Sequence, residues 1–354
     1  MKQEQVAQYI GVSRAAVSKW EKGLSYPDIT LLPKLATYFN ISIDELLGYE
    51  PQMTKEQIGR TYAHLASRFS EEPFEEVQQE IEQLLAEYYS CFPFVLKMAQ
   101  LYLNYHFQAS DQQQVLNRIL ELSERVKKYS GDHHLINEAV MFEAIVRLTQ
   151  GAPEDVLEIL GEDVSIDLGA ELPIATAHQM LGNEKKAKEI LQVSHYQHVI
   201  ATIGTATESL SLEILRESHF DEIVHRMQEM IKLFQIEQLN VNTALVFYLK
   251  AAMGYVMQNR VEKALEMIEI YCHACCRLEF PLRLQGDSYF YLLTDWIEEK
   301  SQMGGQAPRD DLSIKKDLVK EVADNPVFEC LYEHPTFKSL MNNLRHHLQI
   351  EEEM

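Results

Sequence analysis

The fold is decided by residues 3–48, which read QEQVAQYIGVSRAAVSKWEKGLSYPDITLLPKLATYFNISIDELLG. Apolar residues recur at helical spacing before Gly11, a residue type that ends helices without strain. Ser13 is a suitable N-cap, so a second helix is predicted to start directly after it. Two further helices are predicted over 29–39 and 43–48, each opened by a polar capping residue. The segment therefore predicts a small bundle of four helices.

The first two predicted helices are joined by a tight turn, and the outward side of the second is polar. Such a pair is the geometry that enters a DNA major groove. The segment resembles the lambda-repressor-like, xenobiotic-response-element type of helix-turn-helix transcription regulator over nearly all of its length. The features that carry the resemblance are the turn Gly11-Val12-Ser13, Trp20-Glu21, the Pro27-Asp28 cap and the closing Ile43-Asp44-Glu45-Leu46-Leu47.

The resemblance implies a set of DNA contacts. Gln3 is expected to cap the first helix against a phosphate. Arg14 and Lys19 are expected to donate to guanine O6 and N7, and one good bidentate pair gives ~1–3 kcal/mol of discrimination. A methyl group at Ala15, where other family members carry an amide, can only touch thymine methyls. The full set expected at DNA is Gln3, Arg14, Ala15, Ser18, Lys19, Lys22, Ser25 and Tyr26. The alternative is that these are only solvated helix residues.

Family members also have a helix of a dozen or so residues ahead of this segment, and that first family helix is missing here. It normally covers the apolar side of the bundle. Three explanations are compatible with the sequence: a true start that lies further upstream, a partner chain that covers the gap, or weak DNA binding.

Charge is divided unequally along the chain. The formal net charge is −22 over 354 residues, yet residues 1–48 contain five basic and five acidic residues. All of the negative excess therefore lies after residue 48. Because an acidic surface repels phosphates, contact with double-stranded DNA is expected only in residues 1–48.

The rest of the chain is predicted to be all-α, with a linker helix at 49–70 and a helical repeat domain at 71–354. Three segments share a turn followed by an acidic helix start, at 150–160, 181–191 and 257–268. The first two turn glycines, Gly151 and Gly182, are 31 residues apart, close to the tetratricopeptide period of 34 residues. These segments resemble degenerate tetratricopeptide repeats, which implies an α-solenoid. Residues 301–311 are predicted to be a flexible loop because they contain Gly304-Gly305 and Pro308.

No catalytic residue, metal site or cofactor is predicted, and the chain is not expected to be an enzyme. Cys272, Cys275 and Cys276 fall on one helix, but no second ligand pair lies nearby, so partly buried thiols are expected. The aromatic residues at 289–291 and 102–107 either line a ligand groove or belong to a helix core. Five cysteines, with neither a signal peptide nor a long apolar run, predict a soluble cytoplasmic protein without membrane association.

These observations predict a sequence-specific DNA-binding transcription regulator. A homodimer is expected, because one helix-turn-helix reads only a half-site. The acidic repeat domain would dimerise the protein, or sense a peptide or small ligand, or do both, and a basic or amphipathic peptide suits its charge. The alternative is a repeat-type protein-interaction scaffold whose front segment does not bind DNA.

Overall fold

The computed structural model describes residues 3–49, 52–164, 166, 168–301 and 303–350. Across these ranges the regular elements are helices, and the sole β-type pairing among the described residues is an isolated bridge between Arg283 and Gln306. The predicted all-α class is confirmed. No described helix has both the length and the apolar content needed to cross a membrane.

The front bundle consists of residues 3–49. Its helices are α1 (Gln3–Ile10), α2 (Arg14–Glu21), α3 (Leu32–Phe39) and α4 (Ile43–Leu47). The helix predicted from Ile29 begins as a 3-10 turn, and regular α-helix starts only where Pro33, which lacks an N–H, occupies the first turn of α3. The centre of the bundle is formed by Val6, Ala7, Ile10, Val17 and Leu35.

A first lobe follows the front bundle. It contains α5 (Lys55–Arg68), α6 (Phe74–Glu87), α7 (Phe92–Tyr105), α8 (Gln112–Tyr129) and α9 (His133–Thr149). Thr54 and Gln57 form the predicted capping box of α5, and the apolar stripe of this helix is buried in the core of the lobe. The predicted linker helix at 49–70 thus includes a helix that packs with α6 and α7.

Two short helices come next, α10 (Pro153–Leu160) and α11 (Glu171–Met180). The second lobe contains α12 (Glu184–Ser209), α13 (Glu217–Leu233), α14 (Ile236–Leu239), α15 (Val241–Met257), α16 (Val261–Cys276), α17 (Leu293–Lys300), α18 (Asp311–Ala323) and α19 (Pro335–Leu348). Its core is distinct from that of the first lobe and is centred on the packed pair α15 and α16.

The three sequence repeats correspond to three helix-turn-helix hairpins with the same turn. Gly151, Gly182 and Asn259 each adopt a left-handed backbone, with φ of 73°, 77° and 57°. In each hairpin, the N–H of the next residue donates to a carbonyl five residues earlier, at 2.8–2.9 Å. This hydrogen bond defines a Schellman C-cap, which ends one helix and starts the next. The hairpins are α9–α10, α11–α12 and α15–α16.

The segment predicted to be a flexible loop is held by the first lobe, so that prediction is corrected. The Tyr62 hydroxyl donates to the Pro308 carbonyl at 2.8 Å, and the Asn104 amide reaches the same oxygen at 3.3 Å. The Tyr105 hydroxyl lies 3.0 Å from an Asp310 carboxylate oxygen. Glycine and proline in this segment do set its turns. Its anchors, however, come from helices about 200 residues away in the chain, which local patterns do not reveal.

Candidate nucleic-acid interface

The turn between α1 and α2 sets how the second helix is presented. The N–H groups of Gly11 and Val12 both donate to the Ala7 carbonyl at 3.0 Å, which closes α1. The Ser13 hydroxyl accepts from the Ala16 N–H at 3.2 Å, which caps α2 as predicted. Buried Val17 then fixes α2 against α1, so the opposite side of α2 faces solvent.

The outward side of α2 contains most of the residues predicted to contact DNA. Arg14, Ala15, Lys19 and Lys22 are exposed and Ser18 is half-buried. Residues three and four apart lie on the same helix face, so these positions form one continuous polar strip. The structure thus brings the five predicted residues of this helix together on one exposed surface.

The cations of this surface have no ion-pair partner among the residues that the structure describes. Arg14, Lys19 and Lys22 form no ion pair with any described residue, whereas in the lobes Arg118 pairs with Glu82 and Arg260 with Asp221, both at 2.7 Å. An unpaired exposed cation can exchange its counterion for a DNA phosphate or meet a base edge without breaking an existing contact. The positive charge on the outward side of α2 is therefore available to an anionic partner.

The turn after α2 presents the remaining predicted residues. Ser25 is half-buried, and the Tyr26 side chain is 89% exposed. Leu24 and Ile29 beside it are also exposed, and sequence analysis did not single them out. The signal was present: these two apolar residues lie in a turn, outside the periodic stripes that mark the core.

Asp28 closes the same turn. It caps the following 3-10 turn through the Thr30 N–H at 2.9 Å. Hydrogen bonds from the Thr30 hydroxyl and then from its N–H hold the pKa of Asp28 below its ordinary value. The hydrogen bonds of this cap fix the path of the chain between α2 and α3.

Gln3 has a partner within the bundle. Its side-chain amide donates to the carboxylate of Glu21, the last residue of α2. The contact ties the start of α1 to the end of α2. It also places a negative charge beside the amide that is expected to reach a phosphate.

Glu21→Gln is expected to tighten DNA binding. The substitution removes an exposed carboxylate from the end of α2, where negative charge is unfavourable to the helix dipole. In water, two unit charges ~4 Å apart interact with an energy of ~1 kcal/mol, so removing the repulsion between Glu21 and a DNA phosphate corresponds to roughly a fivefold gain in affinity. Titration by fluorescence anisotropy with a duplex target measures the change. Asp44→Asn removes the same charge from α4 and should alter affinity by less than about twofold; an equal gain in both variants would contradict the assignment.

The other residues considered as sites lie in the second and first lobes. Cys272 and Cys275 are buried and Cys276 is partly buried, as expected of helical thiols. Burial raises the pKa of Cys272 to about 12. Among the residues that the structure describes, no group of three or more His, Cys, Asp or Glu side chains could hold a metal. The aromatic segments divide: Tyr102, Tyr105 and Phe290 belong to the cores, while Phe107, Tyr289 and Tyr291 are exposed.

Comparison with known proteins agrees with this geometry. Residues 1–46 match the family model described as Helix-turn-helix. Over 52 residues the chain is 46% identical to the HTH-type transcriptional activator BcrR of Enterococcus faecalis, covering 15% of this chain and 26% of that protein. The aligned part therefore spans about a quarter of this relative. No solved structure matches this chain at a significant level. The front bundle therefore matches the Helix-turn-helix family, and its helices follow in the order that the sequence predicts.

Proposed function

We propose that this protein is a sequence-specific DNA-binding transcription regulator that acts as a dimer in the cytoplasm. The observation that carries the proposal is the exposed, unpaired strip on α2 within a segment that matches the Helix-turn-helix family. The name of the aligned relative, a transcriptional activator, supports the same reading of the segment.

In the proposed complex, α2 lies in the major groove. Arg14 and Lys19 donate to guanine edges, Ala15 touches a thymine methyl and Ser18 contacts either base type. Lys22, Ser25 and Tyr26 hold the sugar-phosphate backbone at the end of α2, with Gln3 at the start of α1. Backbone contacts of this kind set register, and the base contacts supply specificity.

The proposed dimer is based on the length of α2, the helix that would contact the bases. A helix of eight residues covers a single half-site, and a two-fold partner supplies the second half-site about one DNA turn away. The lobes would join the two copies and respond to a peptide or small ligand. The 31-residue spacing of the turn glycines Gly151 and Gly182, each between two helices, supports a tetratricopeptide-like assignment for this part of the chain.

The proposal is tested by selecting duplexes from a random pool with the full chain, followed by a salt titration of the best sequence. If Lys22 of each of the two front bundles in the dimer neutralises one phosphate, log K should fall against log salt with a slope of roughly −2. Selection of a two-fold symmetric sequence is expected. Failure to enrich any sequence would favour the alternative, a scaffold that binds proteins only.

A further inference from the structure

A segment that follows α16 contributes to both lobes. We call residues 287–301 and 303–310 the bridging segment. Phe290, Leu293 and Ile297 lie in the core of the second lobe. Met303 lies in the core of the first lobe, and it is the only described residue of that core from beyond α9. The bridging segment therefore places apolar side chains in two separate cores within a short stretch of chain.

The second-lobe end of the bridging segment is attached to α12. The side-chain oxygen of Gln192 accepts a hydrogen bond from the Leu292 N–H at 3.0 Å. The Tyr289 hydroxyl lies 3.3 Å from Nδ1 of His195, and the two rings pack edge to face with their centroids 5.7 Å apart. Since Gln192 and His195 are three residues apart, they share one face of α12. That face of α12 holds the second-lobe end.

The bridging segment also contacts α5, the helix that follows the front bundle. The Lys55 ammonium group, at the start of α5, donates to the Glu298 carbonyl. The buried Tyr62, in the middle of α5, donates its hydroxyl to the Pro308 carbonyl at 2.8 Å. Positions that are two helical turns apart lie on one side of a helix, so one side of α5 meets the bridging segment.

The helices of each lobe pack mainly against helices of the same lobe. α5 packs with α6 and α7, whereas α12 packs with α11, α13, α15 and with α17 of the bridging segment. When two packed units are joined at few points, the contacts at those points decide whether a change in one unit reaches the other. The bridging segment supplies such contacts between α12 and α5.

We infer that the bridging segment is a regulatory coupler, which makes the stability of α5 depend on the second lobe. A ligand that loosens or tightens the attachment to α12 would change how firmly the helix next to the front bundle is held. This regulatory use rests on the sensing role within the proposed function, whereas the coupling itself does not depend on DNA binding. Because coupling between two sites is reciprocal, a change at α5 must also reach the second-lobe end.

Hydrogen exchange of the full chain without DNA, followed by mass spectrometry, tests the coupling. Gln192→Ala with His195→Ala removes both α12 anchors, one half-buried and one exposed. Exchange of the α5 amides is expected to rise by roughly threefold or more, the size of effect that the loss of a hydrogen bond has on a local opening equilibrium. Thr202→Ala with Thr205→Ala is the matched control, because both hydroxyls donate to carbonyls of α12 itself. The control should leave exchange in α5 as in wild type.

Tyr62→Phe tests the coupling in the opposite direction. It removes the hydroxyl that donates to the Pro308 carbonyl and keeps the ring in the first-lobe core. Exchange in α17, at the second-lobe end, is expected to rise. Unchanged exchange in α5 in the α12 pair, or in α17 in Tyr62→Phe, would show that the lobes are independent and overturn the inference. An equal rise in the threonine control would trace the effect to α12 itself and overturn it too.

Discussion

Arg14→Ala combined with Lys19→Ala should abolish sequence-specific retention of DNA while leaving the protein folded. Each side chain is exposed and makes no ion pair with a described residue, so its removal breaks no internal contact. Loss of both base contacts in one front bundle lowers the binding free energy by at least ~2 kcal/mol, which is a thirtyfold loss of affinity or more. Alanine is the best helix former, so α2 should persist.

Electrophoretic mobility shift with the selected duplex measures the loss, and circular dichroism reports the fold. Lys34→Ala is the matched control, because Lys34 is an exposed cation on α3 of the same bundle. That variant should retain the duplex within a few-fold of wild type. Equal weakening by the control would mean that affinity follows only the net charge of the bundle, against the assignment of α2.

Gly254→Ala should destabilise the second lobe, whereas Gly204→Ala should stabilise it. A Cβ atom at Gly254 on α15 would lie 2.3 Å from the ring of Phe220, which is fully buried. Overpacking a core costs ~1–3 kcal/mol. At Gly204 on α12, a Cβ atom meets nothing within 4 Å, so the substitution gains only the helix preference of alanine, ~0.5–1 kcal/mol.

The midpoint of urea unfolding, followed by far-ultraviolet circular dichroism, distinguishes the two variants. The two midpoints should move in opposite directions from that of the wild type, because backbone propensity is the same in both and only the packing differs. A Gly254→Ala protein as stable as wild type would show that Phe220 can repack, against the core arrangement described above.

The helices of the front bundle could be predicted because their signals are local. Ser13 caps the N–H of Ala16, and Ser42 and Glu45 cap each other, all within four residues. Short-range hydrogen bonds of this kind can be predicted from the sequence because both partners lie within one helical turn. The positions of the DNA-facing side chains on α2 follow from the same helical period, which is why the structure brings them together as expected.

Contacts over long sequence distance could not be predicted in this way. The Tyr62 hydroxyl and the Pro308 carbonyl are separated by 246 residues, and nothing in either neighbourhood indicates the other. The contact between Gln3 and Glu21 was missed for a related reason, since two surface polar residues have many partners of equal strength. An apolar stripe on α10 was visible in the sequence, but periodicity does not tell whether a neighbour covers it.

The division of charge gives the account its physical basis. The residues after 48 contain the entire net charge of −22, and many of their cations form ion pairs, as with Lys127 between Glu124 and Glu143. A surface of that kind repels a duplex at moderate salt. DNA contact in this protein should therefore be confined to the front bundle.

Photo-crosslinking of the full chain to its selected duplex, with the attached peptides identified by mass spectrometry, tests that confinement most directly. We expect every crosslinked peptide to fall within residues 3–29, with α2 the most heavily modified. Crosslinked peptides from residues 52–350, with or without others from residues 3–29, would contradict this confinement.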